Sequence, residues 1–147
     1  MTWEYIAGFF DGEGSIVYNG SGFRLTIAQT NLTVLDSISR FTKIGQVIKV
    51  TKRQVHWKDS WVYYISKQED ILFFVRHIQN FSIVKKQKIN IVLPRLIKAV
   101  SNNRDRILKR QLLTKSAKAL RKNGLSYREI GKRLNMDFGQ ARRLIKR

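Results

Sequence analysis

Two carboxylates, Asp11 and Glu13, stand one residue apart among glycines, at the end of a short apolar segment. The pattern predicts a helix from Trp3 to Asp11 that ends in this acidic turn. A helix C-terminus carries partial negative charge, so a carboxylate there is disfavoured unless a cation joins it. Carboxylate oxygens beside backbone carbonyls, such as that of Gly12, suit a hard cation such as Mg²⁺. The ordinary alternative for so short a motif is an acidic turn before a hairpin.

The rest of the chain is strongly basic, with 29 Lys and Arg against 10 Asp and Glu and a net charge of +19. This excess indicates a polyanionic partner, nucleic acid first and an anionic membrane second. A structural RNA-binding protein would share the charge, because charge alone specifies no chemistry. A metal ion that acts on a nucleic-acid phosphate would explain why two of the few acids stand together.

Composition excludes several other classes of protein. The chain has no cysteine, and His56 and His77 are its two histidines, so a zinc cluster is excluded. Apolar runs such as residues 71–75 are far too short to span a bilayer, and no signal peptide is evident. We therefore expect an intracellular protein that does not bind through a membrane span.

The element pattern within residues 1–100 is helix, strand, strand, helix, strand, strand, helix, helix. It predicts an α+β fold with an αββαββα core, in which helices cover one face of a four-stranded antiparallel sheet. Asn19-Gly20-Ser21-Gly22 is a hairpin signal between the first two strands. The third strand is predicted from Gln46 to Lys52. Alternation then assigns these residues to the open face of the sheet: Arg24, Thr26, Lys49, Thr51 and Arg53.

Residues 101–106, Ser-Asn-Asn-Arg-Asp-Arg, are predicted to be a linker. The helix before them contains Pro94, where we expect a kink or a restart. Residues 107–147 form a small three-helix unit, in which a short helix, a turn at Asn135-Met136-Asp137 and a basic last helix are typical of a helix-turn-helix. A basic tail that binds only phosphates is the alternative. The candidate DNA contacts here are Arg128, Gln140, Arg142, Arg143 and Lys146.

Two Ser–Glu pairs have the spacing of a capping box, in which Ser or Thr is followed three residues later by Glu. One is Ser66 with Glu69, and the other is Ser126 with Glu129. Each pair predicts a helix that begins directly after the serine. Asn31 is predicted to be the N-cap of the helix that follows the second strand.

The run from Ile6 to Gly14, Ile-Ala-Gly-Phe-Phe-Asp-Gly-Glu-Gly, resembles the LAGLIDADG motif of the homing endonucleases. Isoleucine replaces the first leucine, and glutamate replaces the second aspartate. The chain has one copy of the motif, and in this family a single motif implies a homodimer. The resemblance places the following residues at the dimer interface, where small side chains let two helix backbones approach closely: Ala7, Gly8, Phe9 and Gly12.

The resemblance also implies a catalytic site for metal-dependent cleavage of double-stranded DNA. Glu13 would bind Mg²⁺ with help from the Gly12 carbonyl, and Asp11 would either act beside it or be structural. Gln29, at the end of the second strand, matches the family residue that positions a water, and an ordinary polar strand end is the equal alternative. A lysine near the start of the last core helix would stabilise charge at the scissile phosphate. The candidates for this lysine are Lys85, which is the best match, Lys86 and Lys88.

The implied function is site-specific cleavage of a long pseudo-palindromic target by a homodimer. The open sheet face would lie in the major groove, where a two-stranded ribbon fits, with Lys58 in the adjoining turn as a further contact. One alternative is a maturase of the same fold, which binds intron RNA and does not cut DNA. The other is a non-catalytic DNA-binding regulator, which would leave Glu13 unexplained.

Overall fold

The computed structural model describes residues 1–52, 54 and 56–146. Two compact units make up the chain, Met1–Val100 and Ser101–Arg147. The helices and strands are α1 Trp3–Glu13, β1 Gly14–Tyr18, β2 Phe23–Gln29, α2 Leu32–Thr42, β3 Gln46–Lys49, β4 Trp61–Ile65, α3 Gln68–Ile78, α4 Lys86–Lys122, α5 Tyr127–Arg133 and α6 Phe138–Lys146.

Four antiparallel strands form the sheet of the first unit, in the order β1-β2-β4-β3. The β1–β2 hairpin turns where predicted, because the Asn19 side chain accepts hydrogen bonds from the Ser21 and Gly22 amides and Gly20 has a positive φ of 87°. Helices α1, α2 and α3 pack on one face of this sheet over a continuous apolar core. The predicted α+β fold with a four-stranded antiparallel sheet is confirmed.

The β3 side chains lie on the opposite faces of the sheet from those that the sequence predicted. Lys49 pairs with Trp61, and Val47 pairs with Tyr63, which is fully buried in the core. Antiparallel partners share a face, so Lys49 points to the helix side of the sheet, and its assignment to the open face is wrong. Ile48 lies on the open face instead. Apolar residues stand at both odd and even positions of this segment, so alternation did not decide which of them face the core. A shift of one residue moves every side chain to the other face.

Tyr63 offers a test of the core through pH. Its hydroxyl bonds Thr42 Oγ1 at 2.8 Å and donates to the Ile44 carbonyl at 2.9 Å, and burial raises the pKa of Tyr63 to about 12. A tyrosine of the unfolded chain ionises near pH 10, so stability is full below that pH and falls by about 1.4 kcal/mol per unit as pH rises from 10 to 12. Tyr63→Phe, which cannot ionise, should lack this fall, although we expect it to be about 1–3 kcal/mol less stable at neutral pH.

The measurement is urea unfolding of both proteins at pH 8 and pH 11, followed by tryptophan fluorescence. All three tryptophans, Trp3, Trp57 and Trp61, precede residue 101, so this signal reports the first unit. The stability gap between the wild type and Tyr63→Phe should narrow by about 1.4 kcal/mol at pH 11. A parallel loss in both proteins would contradict the burial of an ionisable hydroxyl at this site.

Helix α4 is continuous over the predicted linker and over Pro94, where a kink or a restart was predicted. Residues 101–106 belong to the helix, and so does Pro94. Serine and asparagine cost less than about 0.7 kcal/mol each in a helix, and extension needs no new nucleus, so no residue in this segment forces an end. Around Pro94, these residues at helical spacing are buried in the core of the first unit: Ile89, Val92, Leu96 and Val100.

The two predicted capping boxes have different outcomes. Ser126 accepts from the Glu129 amide at 3.3 Å and the Glu129 carboxylate accepts from the Ser126 amide at 2.7 Å, so the second box is present. The first is wrong, since the N-cap of α3 is Lys67 and its side chain makes no capping bond. The side chain of the next residue, Gln68, bonds the main chain of Phe23 at both its N–H and its carbonyl, 2.8 Å each.

The second unit has its own small core, formed by Ala117, Ile130 and Ala141. Gly131 is buried beside this core, and a Cβ at this position would lie 2.7 Å from the Met136 backbone oxygen. That approach lets α5 contact the turn before α6. No helix in the described part of the chain is long and apolar enough to cross a bilayer.

Gly131→Ala is expected to destabilise the second unit by about 1–3 kcal/mol, because the added methyl meets backbone that cannot move away alone. Amide exchange over residues 127–146 should rise, while the tryptophan signal of the first unit should not change. Lys132→Ala, at the exposed neighbouring position, is the matched control and should behave as the wild type. Unchanged exchange in Gly131→Ala would contradict the close approach.

Candidate active site

Helix α1 ends at the acidic turn, two residues later than predicted. Thr2 Oγ1 accepts from the Tyr5 amide at its start, and the Gly14 amide donates to the Phe10 carbonyl at its end. Gly14 has no room for a side chain, because a Cβ there would lie 2.0 Å from the Phe10 ring. The chain therefore passes directly from the helix into β1, and this places Glu13 at the junction.

The Asp11 carboxylate is saturated by donors from the segment before α4. Oδ1 accepts from the Ser82 hydroxyl and from the Lys85 amide at 3.1 Å. Oδ2 accepts from the amides of Ile83 at 2.6 Å and Val84 at 3.0 Å. Four donors from successive residues thus converge on one side chain, and they use both of its oxygens.

These contacts decide the ionisation of Asp11. Partial burial by itself raises the pKa of this carboxyl. The hydrogen bonds from the Ser82 hydroxyl and from the three backbone amides stabilise the charged form, and together they hold the pKa of Asp11 below its usual value. Asp11 is therefore a carboxylate at neutral pH, and its charge is already matched by N–H and O–H dipoles.

Glu13 differs from Asp11 in its exposure and in its contacts. It is exposed, and no described residue donates a hydrogen bond or an ion pair to its carboxylate. The neighbouring Gly12 is exposed too. A free carboxylate beside the carbonyls of a helix end is a set of hard oxygen donors at negative potential, which fits a divalent cation such as Mg²⁺. In the described part of one chain, no group of three or more acids or histidines gathers to complete such a site.

Among the three candidate lysines, Lys85 lies at this helix end. Its ammonium donates to the Asp11 carbonyl and lies 5.7 Å from the centre of the Phe10 ring. Lys86 and Lys88 are exposed on the first turns of α4. The geometry thus favours Lys85 as the cation beside Glu13.

Gln29 ends β2 at the same edge of the sheet. Gly14 pairs with Ile27, so the two residues that follow Ile27 extend past the start of β1, towards the end of α1. The Gln29 amide oxygen accepts from the Thr30 amide at 2.7 Å and from its hydroxyl at 3.2 Å. These local bonds orient the side chain without occupying its NH₂ group.

One side of α1 is open. Tyr5, Gly8 and Gly12 are exposed at positions i, i+3 and i+7, and a Cβ built on either glycine would have nothing within 4 Å. Phe9 is half-buried beside them, and its ring stacks on Tyr5 at 6.1 Å. Ala7 is fully buried in the core of its own chain, so its assignment to an interface is wrong. It lies about 100° around the helix from Gly8, on the inward side.

The open face of the sheet carries Arg24 and Thr26, as predicted. Arg24 is exposed, and its guanidinium lies 5.5 Å from the centre of the Tyr64 ring. Sequence reasoning missed other residues of this face, which the strand register identifies: Ser15, Val17, Gln46, Ile48, Val62 and Tyr64. Their alternate positions along the strands would have assigned them to this face, once Tyr63 is recognised as a core residue.

The remaining candidates of the first unit lie at the end of β3 or in the segment that follows it. Lys49 pairs with Asp59 at 3.1 Å, and Asp59 also binds Lys52 at 2.8 Å. Thr51 and Lys58 are exposed in the segment between β3 and β4. Arg53 lies outside the described residues. The acid thus neutralises part of the charge at this end of the sheet.

The second unit presents its basic residues to solvent. The Asp137 carboxylate accepts from the Gln140 amide at 2.8 Å and caps α6, so Gln140 lies in the first turn. The exposed set comprises Arg128, Gln140, Arg142, Arg143 and Lys146. All the second-unit candidates therefore remain available for a contact.

Comparison with known proteins identifies the family. Residues 2–79 match the family described as LAGLIDADG-like domain. The chain is similar to the archaeal intron-encoded homing endonuclease I-Vdi141I complexed with DNA, with 18% identity and a TM-score of 0.52 over 98% of this chain and 94% of that chain. It is also similar to the homing endonuclease I-CvuI in complex with its target, with 20% identity and a TM-score of 0.53 over 92% and 95% of the two chains.

A third solved structure, the LAGLIDADG homing endonuclease I-SmaMI bound to cleaved DNA, has 15% identity and a TM-score of 0.55 over 69% of this chain and 37% of that chain. No match to the sequence is found among curated proteins. At these identities the solved structures show the shared fold, and the family match extends over more than half of the chain. This chain belongs to the LAGLIDADG family and has the fold of its homing endonucleases.

Proposed function

We propose that this protein is a Mg²⁺-dependent endonuclease that acts as a homodimer on a specific double-stranded DNA site. The observation that carries the proposal is the contrast between the two acids of the motif. Asp11 is saturated by donors from its own chain, whereas Glu13 is exposed and free for a cation. A structural acidic turn would not need an unmatched carboxylate at the negative end of a helix.

The homodimer is needed because, among the described residues, one chain brings a single free carboxylate to this helix end. When the open sides of two α1 helices pack through Gly8 and Gly12, the two copies of Glu13 come together at adjacent helix ends. The carbonyl of Gly12 adds a further oxygen ligand from each chain. Small residues at this spacing let the backbones approach closely enough for a shared site.

We assign each residue of the site a role in phosphodiester hydrolysis. When bound, the metal would supply Lewis-acid stabilisation of the charge that develops on the phosphodiester. Glu13 would hold it, Gln29 would orient the attacking water through its NH₂ group, and the Lys85 ammonium would stabilise charge on the phosphate. Asp11 stands apart from the chemistry, because its oxygens are already in use.

Double-stranded DNA is the substrate that the surface fits best. The net charge of +19 favours a polyanion, and the open sheet face offers Arg24 and Thr26 to base edges in the major groove. The solved relatives I-Vdi141I and I-CvuI are described in complex with DNA, the latter in the presence of Ca. A role as an intron RNA maturase is the second candidate, since it would use the same basic surface without Glu13.

The second unit, Ser101–Arg147, would bind DNA as a helix-turn-helix. The cap at Asp137 puts Gln140 in the first turn of α6, where such motifs contact bases. Arg142, Arg143 and Lys146 follow on exposed positions of the same helix and would bind phosphates.

The test uses a plasmid library that carries candidate insertion sites, incubated with the protein in Mg²⁺ or in EDTA. Linearisation at one sequence in Mg²⁺ and its loss in EDTA are the expected results, and sequencing the ends gives the site. Binding to DNA without linearisation would indicate a regulator. Binding to intron RNA without DNA cleavage would indicate a maturase.

A further inference from the structure

We propose that Asp11 is a positioning residue, which holds Lys85 at the active site, and that it is not a ligand of the metal. The inference rests on the endonuclease function proposed above and assigns a role to the acid of the motif that the chemistry leaves unused. Its basis is a set of contacts between the last turn of α1 and the segment that precedes α4.

The segment from Ser82 to Lys85 is held to α1 by Asp11 more than by packing. Its apolar side chains Ile83 and Val84 are 84% and 77% exposed, so they contribute little burial. Their amides and that of Lys85 all donate to the Asp11 carboxylate at 2.6 to 3.1 Å, and the Ser82 hydroxyl donates to the same group. Charge-assisted hydrogen bonds of this kind are about twice as strong as neutral ones.

Lys85 is fixed at both ends by the same residue. Its amide donates to the Asp11 carboxylate, and its ammonium donates to the Asp11 carbonyl. Asp11 lies two residues before Glu13, so this double contact keeps the Lys85 cation at the helix end that carries Glu13. A lysine on a flexible stem has rotamer entropy to lose, and a prearranged side chain loses it before the substrate binds.

Direct metal binding by Asp11 is disfavoured by the same contacts. Oδ1 and Oδ2 each accept two hydrogen bonds, so a cation could reach either oxygen only after donors leave. Removal of those donors would release the segment and the lysine together. The positioning role and the ligand role therefore exclude each other. They are separated by measuring whether the effect of an Asp11 substitution on cleavage depends on Lys85.

The test is a double-mutant cycle on single-turnover cleavage, with Asp11→Asn and Lys85→Met alone and combined. Asn keeps one acceptor oxygen. Its NH₂ group is a donor, and it faces backbone amides that donate to the carboxylate in the wild type. We expect Asp11→Asn to slow cleavage about 10- to 100-fold when Lys85 is present and less than about 3-fold when it is methionine. DNA affinity in Ca²⁺ should stay within about 3-fold in Asp11→Asn.

Amide exchange of the full chain without metal or DNA gives a readout that does not depend on activity. In Asp11→Asn, protection should fall at Ile83, Val84 and Lys85 and stay unchanged in the sheet. Ser82→Ala is a milder variant in case Asp11→Asn fails to fold, and it should show a smaller loss with the same dependence on Lys85. Asp36→Asn, on α2, is the matched control for the charge change.

Three outcomes overturn the inference in distinguishable ways. If Asp11→Asn slows cleavage equally with and without Lys85, Asp11 acts on its own and the positioning role falls alone. If exchange at residues 83–85 does not change, Asp11 does not hold the segment. If the wild type cuts no DNA in Mg²⁺, the endonuclease function fails and the positioning role falls with it.

Discussion

Replacement of Glu13 by glutamine is expected to lower Mg²⁺-dependent DNA cleavage by about 10³-fold. Glutamine keeps the shape of the side chain and one carbonyl oxygen, but it removes the negative charge that holds the cation. A bound metal contributes several kcal/mol of transition-state stabilisation, and each 1.4 kcal/mol is tenfold in rate. The measurement is single-turnover cleavage of the identified site, with DNA affinity measured separately in Ca²⁺.

Binding should survive the Glu13→Gln change, because the proposed DNA contacts lie on the sheet and on other basic residues. Removal of an acid from a basic surface should even tighten binding slightly at low salt. Glu4→Gln is the matched control, since Glu4 is an exposed acid in the first turn of the same helix. It should cut at the wild-type rate. Wild-type cleavage by Glu13→Gln would show that the metal site is elsewhere.

Gly8→Leu is expected to convert the protein into a stable monomer. A Cβ at Gly8 meets nothing within 4 Å of its own chain, and leucine favours a helix over glycine by up to about 1 kcal/mol. Folding should therefore be unaffected or improved. Across a close helix–helix contact the same side chain would separate the backbones, so the dimer dissociation constant should rise at least about 100-fold, or about 2.7 kcal/mol.

Sedimentation equilibrium gives the oligomeric state, and urea unfolding at low protein concentration gives the stability of the monomer. Asn90→Leu adds an equal side chain at an exposed position of α4 and should leave the dimer intact. Cleavage should be lost in Gly8→Leu together with the dimer, although Glu13 is untouched. A Gly8→Leu protein that stays dimeric, or a wild type that cuts as a monomer, would contradict the proposed interface.

Local signals in the sequence predicted the elements well. The Asn19 hairpin and the Ser126 capping box formed as expected, and Asn31 caps α2 by accepting from the Thr33 amide at 3.0 Å. In each case donor and acceptor are two or three residues apart, so the sequence contains both partners. The capping box at Ser66 failed although its spacing is the same. There the first turn is held by Gln68, whose partner Phe23 lies 45 residues away.

Assignments of side chains to a face were less predictable. Lys49 was placed on the wrong face of the sheet, since Val47 and Ile48 are both apolar and either could face the core. Only the pairing of Val47 with Tyr63 shows which of them does. Ala7 was placed on the open side of α1 because it is small, whereas its angle around the helix puts it in the core. The end of a helix was also misplaced at residue 101, because polar residues permit an end without requiring one.

By itself the sequence determined the family motif, the element order and the position of two acids at the end of α1. The family resemblance assigned the metal to Glu13, but the sequence left open whether Asp11 acts beside it or is structural. The tertiary structure separates the two acids by their contacts. The donors that saturate Asp11 come from residues 71 to 74 positions later, and only folding brings them to one carboxylate and leaves the other free. Hydrogen bonds between distant segments depend on packing, and no local pattern encodes them.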